Sequence, residues 1–216
     1  MPAADVLAQA VPRDFDDRMY RVALTLNEID ILRQCIDSQD PLAFHEATTF
    51  FQLEESDLPA LLDGPFTAKS IGEGKPFRQS RFSDGSYAVF YSAQEPGTAG
   101  QEYAHNAPTY IPETMGTVTF QIHLIDCRVL GTLPDLRPLT KAFPQLIAHE
   151  HSFCREVGAN VVTGGIDGLL ATSVRQPDGT NAAIFKRVCL SDPRHIGLVM
   201  CTVDAVAKKA TYNIVV

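Results

Sequence analysis

Apolar and polar residues alternate without a break from Thr117 to Leu124. Val118, Phe120, Ile122 and Leu124 fall on one side, and Thr117, Thr119, Gln121 and His123 on the other. Successive side chains of a strand point to opposite faces, so this period of two predicts a strand with one face in a core. Shorter apolar runs at 87–93, 169–175, 182–185, 197–203 and 210–216 predict further strands. Asp84-Gly85 precedes the first of them, and Pro96-Gly97 follows it. Pro177-Asp178-Gly179 and Asn181 form the hairpin turn between 169–175 and 182–185.

The first seventy residues read mostly as helix instead. Asn27 can cap a helix over 28–36, and Asp40-Pro41 opens another with proline at its first position. Phe44, Thr48 and Phe51 share a face of that second helix, with Ala47 beside them. Residues 54–57 are an acidic turn, and 58–62 a short helix ended by Asp63-Gly64-Pro65. Farther on, Thr98 and Gln101 have capping-box spacing for a helix beginning near Ala99. Residues 131–141, with Pro134 and Pro138, predict a loop. Residues 143–157 predict a helix with Leu146, Ile147, Cys154 and Val157 inward and Gly158 as its C-cap. The sum is an α+β chain: an N-terminal helical region over 1–70 packed on a core over 71–216, together one compact domain. The core is a mixed sheet with inserted helices.

Composition narrows the function. With 216 residues, 45% of them hydrophobic, the chain can bury a core. A formal charge of −8 argues against nonspecific or direct nucleic-acid binding but leaves room for a nucleotide ligand held by a few arginines. Residues 1–10 lack a basic segment followed by an apolar one, and no apolar run is long enough to span a bilayer. The five cysteines are scattered without a C-x-x-C pair, which suggests neither a zinc site nor a disulfide framework. A cytoplasmic, reducing location without membrane contact is expected.

Several motifs fail on inspection. Gly72-Glu73-Gly74-Lys75 lacks the Ser or Thr and the earlier glycine of a phosphate loop. Gly164 to Gly168 leads into a strand where a dinucleotide fingerprint needs a helix. No G-x-S-x-G elbow occurs. His149 and His151, two apart on a helix, face different ways, so no metal site is expected. His45, His123 and His195 are isolated; His105 lies three residues after Glu102, on the same helix face.

What remains is the segment from Ser80 to Glu102. It places Arg81 in a polar turn, Tyr91 in an apolar run and Glu102 in the first turns of a helix. An arginine, an aromatic ring and an aimed carboxylate suit a phosphate-bearing ligand with a flat ring and a reactive sugar carbon.

The spacing, ten residues and then eleven, resembles the RES domain, the toxin half of a bacterial toxin–antitoxin family. Gly165-Ile166-Asp167-Gly168-Leu169-Leu170-Ala171-Thr172-Ser173-Val174-Arg175 resembles that family's later G-x-D-G-(apolar)-x-x-x-S-x-R pattern, with Gly179-Thr180-Asn181 and an apolar run following. The likeness covers roughly residues 76–190 and departs from the family at Ser80 and Ser83, where many members have Gly and Asn.

The resemblance implies a fold similar to that of ADP-ribosyltransferases and a type II toxin that consumes NAD⁺ as substrate, with no cofactor. It implies cleavage of the nicotinamide–ribose bond by water or phosphate, and neutralisation by a helix-turn-helix antitoxin of the Xre type. Carried onto this chain, Arg81 would pair with the pyrophosphate. Tyr91 would stack on or wall the nicotinamide ring. Glu102 would accept a ribose hydroxyl bond and stabilise charge at the anomeric carbon. Ser173 would bond the ligand or orient Glu102, and Arg175 would add a phosphate contact. The alternatives are an ADP-ribosyltransferase acting on a macromolecule at the same NAD⁺ site, and a non-catalytic nucleotide- or partner-binding module. Oligomeric state is left open, a homodimer included.

Overall fold

The computed structural model describes residues 2–68, 75–176 and 178–215. The rejected phosphate-loop stretch at 72–74 and the turn residue Pro177 lie outside the described residues. The helices are α1 (Ala4–Gln9), α2 (Leu26–Asp37), α3 (Pro41–Thr49), α4 (Leu58–Asp63), α5 (Pro96–Asn106) and α6 (Ser152–Thr163). The strands are β1 (Val11–Ala23), β2 (Phe90–Ala93), β3 (Thr117–Asp135), β4 (Gly168–Thr172), β5 (Thr180–Ile184), β6 (Leu190–Asp204) and β7 (Lys209–Val215). They form one mixed α+β sheet in the order β1-β2-β5-β4-β3-β6-β7, with β1 also paired to β3. All pairings are antiparallel except β3 with β4.

Strand β3 carries the sheet. It pairs with β1 from Ala23↔His123 to Val11↔Asp135. It pairs with β6 from Thr117↔Asp204 to Val129↔Leu190, and with β4 at Asp135↔Leu170. The expected strand at 117–124 is therefore only its first half, and the loop expected at 131–141 begins as strand. Pro134 permits this because it faces Pro12 at the end of the ladder, where a missing N–H costs least.

Strand β1 is an unexpected strand within the mostly helical segment 1–70. Its sequence, VPRDFDDRMYRVA, is too charged to show a strand period. Tertiary ion pairs hold it. Arg18 faces Arg128 directly, a repulsive pairing in isolation. Asp16 answers Arg128 at 2.6 Å, and the buried Asp126 takes Nε of Arg18 at 2.7 Å and Nη2 of Arg194 at 2.9 Å. Burial pushes the Asp126 pKa up, and the two guanidiniums more than reverse this.

Local signals also moved. The cap of α2 is Thr25, not Asn27: its hydroxyl accepts from the Glu28 N–H, and the Glu28 carboxylate accepts from the Thr25 N–H. The same carboxylate binds the buried His123 at 2.7 Å, so this residue of the polar side of β3 is covered rather than solvated. Helix α3 opens at Asp40-Pro41 as expected, with Phe44 and Thr48 buried on its inner face. Phe44 meets Phe120 edge to face, centroids 5.3 Å apart. The single helix expected over 143–157 is instead a 3-10 turn at Pro144–Ile147 followed by α6, which runs on to Thr163. Gly158 is not its cap but lies mid-helix and buried. A Cβ there would fall against the carbonyl oxygen of Phe82, so the glycine lets α6 touch the backbone beside Arg81.

Three apolar clusters fill the interior. One lies between β3, β6 and helices α2, α3 and α5. The second lies between β1, β3, β5 and α4. The third lies between β4, β5, α1 and α6.

Helix propensity alone would make Gly158→Ala stabilising by about 1 kcal/mol. The close approach to Phe82 predicts the opposite, a loss of roughly 1–3 kcal/mol, because backbone must shift to admit the methyl group. Thermal unfolding decides the sign, and a melting temperature equal to or above wild type would refute the contact.

Candidate active site

The Arg81 turn is built before anything can bind to it. Ser80 N–H donates to Ser83 O at 2.8 Å, closing the turn. Ser83 Oγ donates to Tyr87 O at 2.8 Å and accepts from Gly85 N–H at 3.0 Å. Gly85, at φ 94°, takes the left-handed conformation this requires. Arg155 of α6 donates from Nε to Ser80 O at 3.1 Å. Arg81 itself is half-buried, and its Nη1 donates to Ala148 O at 2.9 Å and Leu146 O at 3.3 Å. Among the described residues its Nε and Nη2 have no acceptor, so the outer edge of the guanidinium is available to an anion.

Tyr91 is the keystone of that turn. Its hydroxyl oxygen accepts from Phe82 N–H at 2.9 Å and hydrogen-bonds Ser80 Oγ at 2.8 Å. Burial pushes its pKa up to about 12, so the phenol is neutral. The carbonyl of Tyr91 accepts from Nη1 of Arg21 at 2.8 Å. Arg21 stands 4.8 Å from the Phe90 ring centroid, and burial drives its pKa down to about 10.

Glu102 is placed from the other side. Helix α5 starts at Pro96 with Glu95 as an N-cap that makes no side-chain bond. The expected Thr98–Gln101 capping box is therefore absent: Thr98 sits buried inside the helix, one turn ahead of Glu102. Proline at the first helical position starts the helix early. Gly100 lets the Tyr212 ring lie on the helix, where a Cβ would come within 2.5 Å of it, and the Tyr212 hydroxyl donates to Gly97 O at 2.8 Å.

Oε1 of Glu102 accepts from Ser173 Oγ at 2.6 Å and from Asn181 Nδ2 at 2.7 Å. The Ser173 oxygen also accepts from the N–H groups of Arg175 at 3.2 Å and Gln176 at 3.0 Å. With both acceptor positions filled, its one proton is directed to the carboxylate. Oε2 has no donor among the described residues.

Ser173 was expected inside a strand; it stands in the turn just past β4, buried. Asn181, expected in the hairpin turn, lies within β5. The register brings these residues to one face. Tyr91 pairs with Ala183, and Asn181 with both Ala93 and Ala171. Tyr91 and Asn181 are thus diagonal neighbours with side chains on the same side, and Ser173 follows two residues beyond Ala171. Arg175 is half-buried in the same turn.

The surroundings are cationic although the chain is acidic. Burial first, then Arg81, Arg155 and Arg175, lower the pKa of His151; burial and then Arg175 lower that of His105. Among the described residues no three His, Cys, Asp or Glu side chains gather as metal ligands would. Sequence reasoning missed Asn181, Ser80 and Arg21 as parts of this arrangement. Only the strand pairing reveals that Asn181 shares a face with Tyr91.

The profile of the RES domain matches residues 54–204, more than half of the chain. The chain belongs to the RES domain family. Among solved structures, that titled the crystal structure of the M. tuberculosis MbcT-MbcA toxin-antitoxin complex is similar at 12% identity and a TM-score of 0.49, covering 90% of this chain and 91% of that one. No curated protein matches significantly.

Tyr91→Phe should cost roughly 1–3 kcal/mol, the penalty of leaving the Phe82 N–H without its acceptor. Chemical denaturation measures it. Wild-type stability would mean that the turn does not depend on the hydroxyl.

Proposed function

We propose that this chain is the toxin of a type II toxin–antitoxin system and that it degrades NAD⁺ by breaking the nicotinamide–ribose bond. The observation that carries the reading is the Glu102 carboxylate, held through Oε1 by Ser173 and Asn181 with Oε2 unengaged. A carboxylate fixed in this way needs no reorganisation to meet positive charge as it develops on the ribose ring, and that is where electrostatic stabilisation lowers a barrier. Membership of the RES domain family supports the same reading.

The other residues take parts consistent with their surroundings. Arg81, anchored through Nη1, offers its outer edge to the pyrophosphate, with Arg175 as a further phosphate contact. The Tyr91 hydroxyl is occupied by the turn, which leaves its ring as a wall for nicotinamide. Ser173 orients Glu102. NAD⁺ is substrate here, and no cofactor enters the reaction. The sheet is read as a frame of the ADP-ribosyltransferase type, working in the cytoplasm, where NAD⁺ is available. Among the described residues no helix is long and apolar enough to cross a membrane.

An enzyme that consumes NAD⁺ harms its own cell, so a neutralising partner is part of the proposal: an antitoxin of the Xre helix-turn-helix type. Expression of the chain alone should arrest growth, and co-expression of the neighbouring antitoxin should relieve it. Normal growth with abundant folded protein would count against the toxin role.

The enzymatic test is nicotinamide release by purified protein. Glu102→Ala and Glu102→Gln should each lose on the order of 100- to 1000-fold in turnover while melting normally. Asn181→Ala should lose about 10- to 100-fold, the rate equivalent of the roughly 1.5–3 kcal/mol in a hydrogen bond to a charged group. Arg81→Ala should chiefly raise KM, because it contacts a part of NAD⁺ that does not react. A folded Glu102→Ala protein with near-normal turnover would remove the carboxylate from the mechanism.

A further inference from the structure

The stripe of α5 that carries Glu102 does not end there. Thr98, Gln101, Glu102 and His105 succeed one another at helical spacing, and His105 is the exposed member in the last turn. Beyond it opens a cleft of about 600 Å³, walled by His105, Pro108, Tyr110, Ile111, Lys208 and Ile36. The Arg78 guanidinium stands 4.6 Å from the ring centroid of Tyr110, one of the lining residues. His105 therefore lies one helical turn beyond Glu102 and also walls this cleft.

We propose that His105 is the proton acceptor for the nucleophile that attacks the ribose carbon, the nucleophile arriving through the cleft that His105 walls. The inference rests on the NAD⁺-cleavage reading and adds a residue to it.

The charged and titratable groups around His105 come from every neighbouring element. Arg175 comes from the turn after β4, Arg81 from the turn before β2, His149 from the segment before α6, and Glu102 from its own helix. Lys208 and Tyr110 share the cleft with it. Burial, then Arg175, set the imidazole pKa below its usual value, and Glu102 pulls the other way. The ring is neutral at physiological pH and can accept a proton. Once charged, it is favoured by Glu102 and by the carbonyl end of α5.

The step balances. The bond from the ribose carbon to the pyridinium nitrogen breaks, and its electron pair leaves with nicotinamide, now neutral. The oxygen of water bonds to that carbon, and the water proton passes to the imidazole of His105 and then to solvent. The products are nicotinamide, ADP-ribose and one proton.

The test is the pH dependence of kcat and KM for nicotinamide release, with melting temperature as a fold control. Wild-type kcat should fall in acid as His105 takes up its proton. His105→Asn should lower neutral-pH kcat on the order of 100-fold, flatten the acid limb and leave KM for NAD⁺ unchanged. Added imidazole should restore part of the rate. A folded His105→Asn protein with wild-type kcat and an intact acid limb overturns this inference while leaving the NAD⁺ reading in place. A wild-type protein that releases no nicotinamide overturns that reading, and this inference with it.

Discussion

Everything in this fold depends on the hydrogen-bonding of one strand. Strand β3 offers one edge to β1 along the whole length of that strand, and the other to β6 and then β4. Through the single pairing at Asp135↔Leu170 it carries β4, and through β4 it carries β5 and β2. The Tyr20↔Ala93 pairing returns β2 to β1, so five strands close on themselves through two narrow seams. Tyr91 and Asn181 stand on the strands between those seams, and Ser173 just beyond one of them.

The candidate site contains two polar clamps, whose Tyr91 and Asn181 share one face of the sheet. One clamp fixes the Arg81 turn, with the Tyr91 hydroxyl below it and Arg155 of α6 behind. The other fixes Glu102, held by Ser173 and Asn181. Each clamp leaves one charged edge without a partner among the described residues: the outer guanidinium of Arg81 and Oε2 of Glu102. Opposite charges presented on a prepared frame are what the proposed cleavage of NAD⁺ would use.

Glycines set how closely the pieces approach. Gly158 lets α6 reach the Phe82 backbone, and Gly100 lets Tyr212 press on α5 beside Glu102. Both sit inside helices, where glycine is intrinsically unfavourable. The close contacts offset that cost, and they position the two helices that bear on the site.

The sequence by itself determined the elements whose signal is local. The alternation in β3, the Asp40-Pro41 start of α3 and the Asp84-Gly85 turn depend on side-chain period and backbone preference, which neighbouring residues fix. The spacing of Arg81, Tyr91 and Glu102, with Ser173 after them, was equally legible, because family membership is written in linear order. Other features were settled only by the tertiary structure. Strand β1 looks too charged to be a strand until Asp126, Asp16 and their arginines meet. Gly158 reads as a helix end until Phe82 lies against it, and Thr98 reads as a cap until Pro96 starts the helix ahead of it. Asn181 reads as a turn residue until the β2–β5 register aims it at Glu102. Except at Thr98, where the nearby Pro96 decides, the deciding energy comes from a partner tens of residues away, which local propensity cannot contain.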